Sequence, residues 1–415
     1  MRDIALGFFN IMRQIILYTS YYPYSVMSES FLTSELEIGI RKGKNIVVIP
    51  INKDKVERKV PEGVDIDKSI CDSSVLKKIW AIITMARFFP LFFKYREFRG
   101  LNLKFALDAV KYIYAANLVY NDLVKKAKEN QDCLFYSYWL SYIPIAFAYY
   151  KYKHPETSHR FIARGHGSDI YGRKIGVNYP FRNLVFKELD KILVISEYGK
   201  KFLCDSLGYS SDKIMVSRLG VYSNYHICNC TNKIVRVISC SSIIPLKRVN
   251  LVFNSLYNFA KNNEQYNIEW IHIGDGPLLN NLKNDIKKNS LGNLNCKLVG
   301  SMINKDILDL YKNMDVSVFI LLSLSEGIPV SIMEAISSGI PAIATNVGGV
   351  SEIVNDSTGR LLDVNFDQKD FDKALSYIID NNQVLSKSAY SFFLSRFDAE
   401  KNYNSLYDQF FFEYS

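Results

Sequence analysis

The stretch Leu322-Ser323-Leu324-Ser325-Glu326-Gly327-Ile328-Pro329-Val330-Ser331-Ile332-Met333-Glu334-Ala335, continued by Ser338-Gly339-Ile340-Pro341-Ala342-Ile343-Ala344-Thr345-Asn346-Val347-Gly348-Gly349-Val350-Ser351-Glu352, decides how this chain folds. The apolar run from Val316 to Leu321 ahead of it predicts a buried strand. A short polar loop with Glu326 and Gly327 follows. Pro329 stands where a helix begins, a position that tolerates its missing N–H. The helix carries Met333, Glu334 and Ala335 and stops near Gly339 and Pro341. A second strand, Ala342 to Thr345, leads to the Gly348-Gly349 loop and another helix start. The pattern is a strand–loop–helix unit used twice in succession.

Helix N-termini present unpaired N–H groups and a partial positive charge, which suits phosphate. Carboxylates at the mouth of such a site suit hydroxyl groups instead. Glu326 lies in the loop and Glu334 about a turn and a half into the helix, so both reach one pocket from different heights. A sugar nucleotide matches this arrangement, its diphosphate facing the amides and its hydroxyls facing the carboxylates. The simpler reading is an ordinary amphipathic helix with two solvated glutamates.

Two glutamates at this spacing, followed by small-Gly-x-Pro and a Gly-Gly loop, resemble the donor site of retaining glycosyltransferases of family 4. The resemblance implies an α/β chain of the GT-B fold: two Rossmann-like doubly wound parallel-sheet domains facing across a cleft. It also implies that Glu326 contacts the donor sugar and Glu334 the nucleotide ribose, with Gly327, Ile328 and Pro329 lining the same site.

The chain has 415 residues, too many for one typical core and suited to two domains. The expected division is 1–220 for an acceptor-binding domain with a helical insertion at about 55–130, 221–395 for a nucleotide-sugar domain, and 396–415 for a helix crossing back to the first. Hydrophobic residues make up 48% and charged residues 22%, the balance of a globular enzyme. The net charge of +9 favours anionic partners, but no nucleic-acid-binding signature accompanies it. Seven cysteines include Cys133, Cys240 and Cys296 in apolar strand-like runs, which read as core. Cys228 and Cys230 stand one residue apart without a second pair, a poor zinc pattern. The odd count, and an N-terminus carrying Asp3 and Arg13 without a cleavage pattern, lead us to expect a reducing, cytoplasmic location. No apolar run is long enough to span a membrane.

In the first half, strands are expected at Gln14–Thr19, Asn45–Pro50, Cys133–Tyr136, Phe161–Ala163, Ile192–Ile195 and Ile214–Val216, separated by helices. That alternation implies a parallel sheet with ligands beyond the carboxyl ends of its strands. A helix is expected from about Ser28, with Glu29 in its first turn, where the dipole favours a carboxylate; Glu29 is a candidate for substrate binding. Ala163-Arg164-Gly165-His166-Gly167-Ser168-Asp169 resembles the family's His-Gly or His-Asp element, which implies that His166 contacts the transferred sugar. The flanking glycines allow close backbone approach. His154, His159, His226 and His272 read as structural. Ser196-Glu197-Tyr198-Gly199 reads as a strand end opening a helix. Ser74 to Phe93 reads as a helix with Trp80, Phe88, Phe89, Phe92 and Phe93, ending near Pro90. Lys77, Lys78, Arg87, Lys94, Arg96, Arg99 and Lys104 accompany it against Glu97 alone, which suits an anionic membrane surface. A packed helical hairpin with a wet basic face is the alternative.

In the second half, Tyr222 to Lys233 reads as the interdomain connection. Ile234 to Cys240 is a strand leading to Ser241-Ser242-Ile243-Ile244-Pro245-Leu246-Lys247-Arg248-Val249, which resembles the family loop where an arginine and a lysine hold the diphosphate. Lys247 falls on the lysine and Ser242 on the arginine, and Arg248 or Arg218 is the expected substitute for that charge. Gly274-Asp275-Gly276-Pro277 and Val299-Gly300 resemble loops beside the nucleotide base. The implied activity is transfer of a hexose, with retention, from a UDP- or GDP-linked donor to a hydroxyl of a lipid-linked saccharide. The sequence is most like bacterial exopolysaccharide and O-antigen transferases of the colanic-acid type. No cofactor or metal is expected, and peripheral attachment to the inner membrane is. The alternatives are a GT-B sugar-nucleotide epimerase or hydrolase, and a non-catalytic glycosyltransferase-like scaffold that binds saccharide.

Overall fold

The computed structural model describes residues 14–25, 29, 31–95, 103–172, 179–225 and 234–412. Asp3, Arg13, Ser28, Arg96, Glu97, Arg99, His226, Cys228, Cys230 and residues 226–233 of the expected connection lie outside them, as do the side chains of Phe92, Phe93 and Lys104. In chain order the strands are β1 (Ile15–Thr19), β2 (Ile46–Pro50), β3 (Val64–Ile66), β4 (Leu134–Ser137), β5 (Arg160–Gly165), β6 (Lys191–Val194), β7 (Ile214–Val216), β8 (Ile234–Cys240), β9 (Asn267–Ile273), β10 (Leu294–Gly300), β11 (Val318–Leu321), β12 (Ala342–Thr345) and β13 (Gly359–Leu362). They form two sheets, ordered β3-β2-β1-β4-β5-β6-β7 and β10-β9-β8-β11-β12-β13. Every pairing is parallel. Parallel neighbours need a crossover, and the intervening helices supply it.

The chain divides into two compact units. One comprises residues through Ile195, Lys200–Ser217 and the stretch from Leu406; the other comprises Ser196–Gly199 and Arg218–Ser405. The last helix, Ala399–Phe412, therefore counts partly with each.

In the first unit, β1, β4 and most of β5 are fully buried, as strands covered by helices on both faces must be. Phe135 and Phe161 stack across β4 and β5 at 5.3 Å, and Phe147 closes on both from the helix Ile143–Lys153. Tyr407 packs its hydroxyl against Gly39, where even a methyl group would fall 2.5 Å from it.

Local expectations fail in four places. Glu29 is not in the first turn of a helix: it sits in the left-handed region at φ 58°, and the helix begins at Leu32. The helix expected over Ser74–Phe93 is broken into Val75–Thr84, a 3-10 turn Met85–Phe88 and a second helix Phe89–Tyr95. Pro90 opens that second helix instead of ending the first, because its missing N–H is harmless in a first turn. Strands β3 and β13 have only three and four residues, too short for alternation to reveal them. Cys240 and Cys296 are half-buried, not core, while Cys133 is buried.

The second unit is centred on Trp270 in β9, fully buried among residues such as Val237, Phe253, Val318 and Ile343. Its indole N–H donates to Ser239 Oγ at 2.9 Å, and that hydroxyl lies 2.8 Å from His272 Nδ1. The side chain is both packing and hydrogen-bond donor, so Trp270→Ala is expected to lower stability by about 3–5 kcal/mol. A urea titration followed by circular dichroism, with a lowered midpoint and unchanged slope, checks this.

Candidate active site

The second sheet reverses its winding between β8 and β11, so the chains leaving those two strands turn apart. The crevice beyond such a reversal is where ligands bind in open α/β sheets. β8 delivers the loop with Lys247 and β11 the loop with Glu326. The Lys247 ammonium donates to Glu326 Oε1 at 2.5 Å, with both side chains largely shielded from water. Leu324 N–H donates to the Leu246 carbonyl at 2.9 Å, tying the same two loops through backbone.

Arg248 commits two of its guanidinium nitrogens to backbone carbonyls. It adopts φ 48°, and its Nε donates to the Leu322 carbonyl at 2.6 Å and its Nη1 to the Val364 carbonyl at 2.9 Å. It is a strut between loops. Arg218 is also committed, to Glu197 at 3.2 Å and Glu352 at 3.4 Å. Glu352 in turn accepts from the Glu197 and Tyr198 amides. Ser242 is exposed in the β8 loop. Lys247 is thus the cation that the structure brings to Glu326.

Pro329 precedes the helix Val330–Ser337, and Gly339, at φ 77°, terminates it. Glu334, in the middle of that helix, is buried and accepts from Asn304 Nδ2 at 2.5 Å. Burial pushes its carboxyl up to about 7, with the Asn304 hydrogen bond pulling the other way. Asn304 opens the helix Asn304–Asn313, and nothing in its sequence setting distinguishes it from other helix-start asparagines. Gly348 holds φ 58°, and a Cβ there would lie 1.9 Å from the Glu326 carbonyl. The Gly349 amide donates to the Gly327 carbonyl at 2.9 Å, so it is spent on holding the loop. The amides of Gly327 and Ile328 make no hydrogen bond among the described residues.

Gly274 and Gly276 lie against the β8 loop, where Cβ atoms would fall 2.0 Å from the Ser241 carbonyl and 2.5 Å from the Ile243 carbonyl. Gly274 N–H donates to the Gly300 carbonyl at 2.8 Å, and Val299 is exposed beside it. The three loops after β8, β9 and β10 are therefore contiguous.

The first sheet reverses between β1 and β4, and a second cluster forms there. Glu29 accepts from the amides of Ser20, Tyr21 and Tyr22 and from Trp139 Nε1 at 2.5 Å. Its carboxylate is fully occupied by protein donors. Trp139, two residues past β4, was not a sequence candidate. It lies 4.5 Å from the His166 ring, centroid to centroid. His166 is buried, and its Nε2–H donates to the Tyr138 carbonyl at 3.0 Å, leaving Nδ1 as the acceptor. Burial, aided by the Arg164 charge, drives its pKa down to about 3, so the ring is neutral at physiological pH. Asp169 accepts from the His166 and Leu140 amides, and burial raises it to about 6. Arg164 is fully buried, bonded to the Tyr136 hydroxyl at 2.6 Å and paired with Glu35 at 3.3 Å. It fixes the strand under His166.

The other described histidines serve the scaffold. His159 bridges Cys133 N–H and the Ala127 carbonyl, His154 stacks on Tyr150, and His272 completes the Trp270 chain. Asp-x-Asp occurs as Asp65-Ile66-Asp67 and Asp370-Phe371-Asp372, where Asp67 pairs with Lys126 and Asp370 caps its own helix. Among the described residues no group of three or more His, Cys, Asp or Glu is placed to hold a metal ion.

With this geometry in hand, comparison with known proteins is informative. Residues 232–391 match the family model described as glycosyl transferases group 1. The chain is 31% identical over 226 residues to protein CapJ of Staphylococcus aureus, covering 54% of this chain and 53% of that protein. It is 32% identical over 186 residues to the UDP-Gal:alpha-D-GlcNAc-diphosphoundecaprenol alpha-1,3-galactosyltransferase of Escherichia coli, covering 40% and 46%. The chain spans about half the length of the curated relatives it matches. Among solved structures, HepE of Anabaena with UDP and glucose gives a TM-score of 0.66 at 14% identity, over 96% of this chain and 99% of that one. The lipopolysaccharide outer core galactosyltransferase WaaB gives 0.66 at 15%, over 96% and 100%. These likenesses show the fold, GT-B, with its two Rossmann-like domains.

The Glu334 environment makes a prediction independent of function. A carboxyl raised from 4.5 to about 7 on folding holds a proton that the unfolded chain releases. Stability is therefore undiminished below about pH 4.5 and falls as pH rises through 7. Glu334→Gln should gain roughly 2–3 kcal/mol over the parent at pH 8 and little at pH 4.5. Thermal unfolding at the two pH values checks this; an equal gain at both would overturn the assignment.

Proposed function

Residues 232–391 form a glycosyl transferases group 1 domain, and from that premise we propose that the protein transfers a hexose, with retention, from a nucleoside diphosphate sugar to a hydroxyl of a lipid-linked saccharide in bacterial surface polysaccharide synthesis. The observation that carries the reading is the Lys247–Glu326 pair at the strand-order reversal, with the Gly327 and Ile328 amides beside it. The barrier to transfer is charge separation, as a sugar cation develops while the diphosphate leaves. Lys247 and the two amides stabilise the leaving charge in a site that excludes bulk water. Glu326 holds the sugar hydroxyls. Glu334, once deprotonated, accepts from the ribose, a charged hydrogen bond worth about 1.5–3 kcal/mol. His166, neutral and buried, is the residue of its unit that we assign to the transferred sugar, while Glu29 and Trp139 hold its loop. The departing phosphate takes the acceptor proton, so no second carboxylate is needed.

Printed names of relatives support the donor and acceptor classes. The donor named for the E. coli relative is UDP-Gal, which supports a nucleoside diphosphate sugar as donor. The acceptor named for the E. coli relative is diphosphoundecaprenol-linked. Relatives named for amylovoran and colanic acid synthesis support surface polysaccharide as the product. No helix among the described residues is long and apolar enough to cross a membrane.

Lys247→Ala and Glu326→Ala should each lower turnover by about 100-fold or more. Undiminished turnover in both would remove the roles assigned here. The anomeric configuration of the product, read by proton NMR, should match that of the donor. Release of nucleotide at full rate without acceptor would favour a hydrolase instead. Nucleotide affinity should rise as pH climbs through about 7, where Glu334 ionises, and Glu334→Gln should flatten that profile.

A further inference from the structure

We infer that the first unit contains a two-part site for a single-chain lipid diphosphate, with the diphosphate among lysines in a polar cavity and the lipid chain in an apolar groove joined to it. This rests on the transfer reading above and identifies where the lipid part of the acceptor is held. The polar cavity has a volume of about 930 Å³, and its lining includes Lys53, Lys78, Lys111, Asp108, Tyr112 and Tyr142. The groove, about 590 Å³, is lined by Leu76, Ile79, Trp80 and Ile83 of the helix Val75–Thr84. Ile70, Ser73 and Leu118 line both, so the two volumes adjoin.

The helix Val75–Thr84 is what requires a partner. Ala81 is its one buried residue. Leu76 is 78% exposed, Ile83 62% and Trp80 60%. A surface helix normally turns such residues inward, and a contiguous apolar face of this kind marks a binding site. Two lysines and no acid lie on the helix.

The charge identifies the ligand. Lys53 pairs with Asp72 at 3.0 Å and Lys111 with Asp108 at 3.9 Å, while Lys78 has no ion pair among the described residues. Asp122 also borders the groove, where it accepts from the Tyr18 and Ser69 hydroxyls. A diphosphate at one end of the apolar slot would meet Lys78 unopposed and would displace Asp72 from Lys53 and Asp108 from Lys111. A bilayer surface alone needs no enclosed cavity. The cations expected to reach a membrane are partly spent elsewhere: Arg87 bonds to Thr84 and Asn121, and Lys94 to the Tyr152 hydroxyl. The polar end also adjoins the first unit's strand-end cluster, since Tyr21 N–H donates to Glu29 and the rings of Tyr112 and Tyr142 lie 6.2 Å apart. A saccharide on the diphosphate would extend along those tyrosines.

Calorimetric titration of the full chain with farnesyl diphosphate, farnesol and inorganic pyrophosphate tests this, with UDP-sugar binding read in parallel. Farnesyl diphosphate should bind at least tenfold more tightly than either fragment. The doubles Lys78→Glu/Lys111→Glu and Ile79→Asp/Ile83→Asp should each weaken it at least tenfold and leave UDP-sugar binding unchanged. Unchanged farnesyl diphosphate affinity in either double overturns the site. Binding to phosphatidylglycerol vesicles without farnesyl diphosphate binding also overturns it, in favour of simple surface docking. Farnesyl diphosphate binding without any nucleotide-sugar binding supports the site and sinks the transferase reading instead.

Discussion

The reversal of strand order in a wholly parallel sheet is the constraint from which the rest follows. Once β8 lies between β9 and β11, the connection from β8 winds one way and that from β11 the other, and a gap opens beyond their carboxyl ends. Lys247 and Glu326 meet in that gap although 79 positions apart in sequence. The first unit repeats the device with different residues. Its reversal between β1 and β4 brings Glu29 to Trp139, and the neighbouring β5 adds His166.

Both clusters are held by groups whose hydrogen bonds are already made. In the second unit, Arg248 links the β11 loop to the chain after β13 by donating to two carbonyls. Gly348 admits the Glu326 carbonyl to a distance that any side chain would forbid. In the first, Glu29 gathers three consecutive amides and an indole N–H, and the buried Arg164–Glu35 pair stiffens the sheet beneath His166. A site assembled from loops needs such ties, because loops carry little packing of their own.

Burial then divides the titratable groups into kinds. Glu334 and Asp169 are pushed towards neutrality, to about 7 and about 6, and His166 loses its proton well below physiological pH. The ion pair Lys247–Glu326 stands apart as the charged element of its cluster.

The second unit was legible in the chain because its chemistry is local. Strand, glutamate loop, proline, helix and glycine pair follow one another within a single stretch, and short-range sterics and capping dictate each of them. The principal strands of both sheets were legible for the same reason, as runs of apolar residues with turn signals between them. What lay beyond reach depends on distant partners. Arg248 and Arg218 look like available charges until the fold shows which carbonyls and carboxylates claim them. Glu29 looks like a helix-start residue until three amides converge on it. Trp139 and Asn304 carry no local mark at all. The helix Val75–Thr84 reads as packed or membrane-facing with equal ease, since its apolar residues acquire an inside and an outside only when its neighbours are in place. Sequence determines what each segment does to itself; the approach of segments far apart along the chain decides which polar groups are left for a ligand.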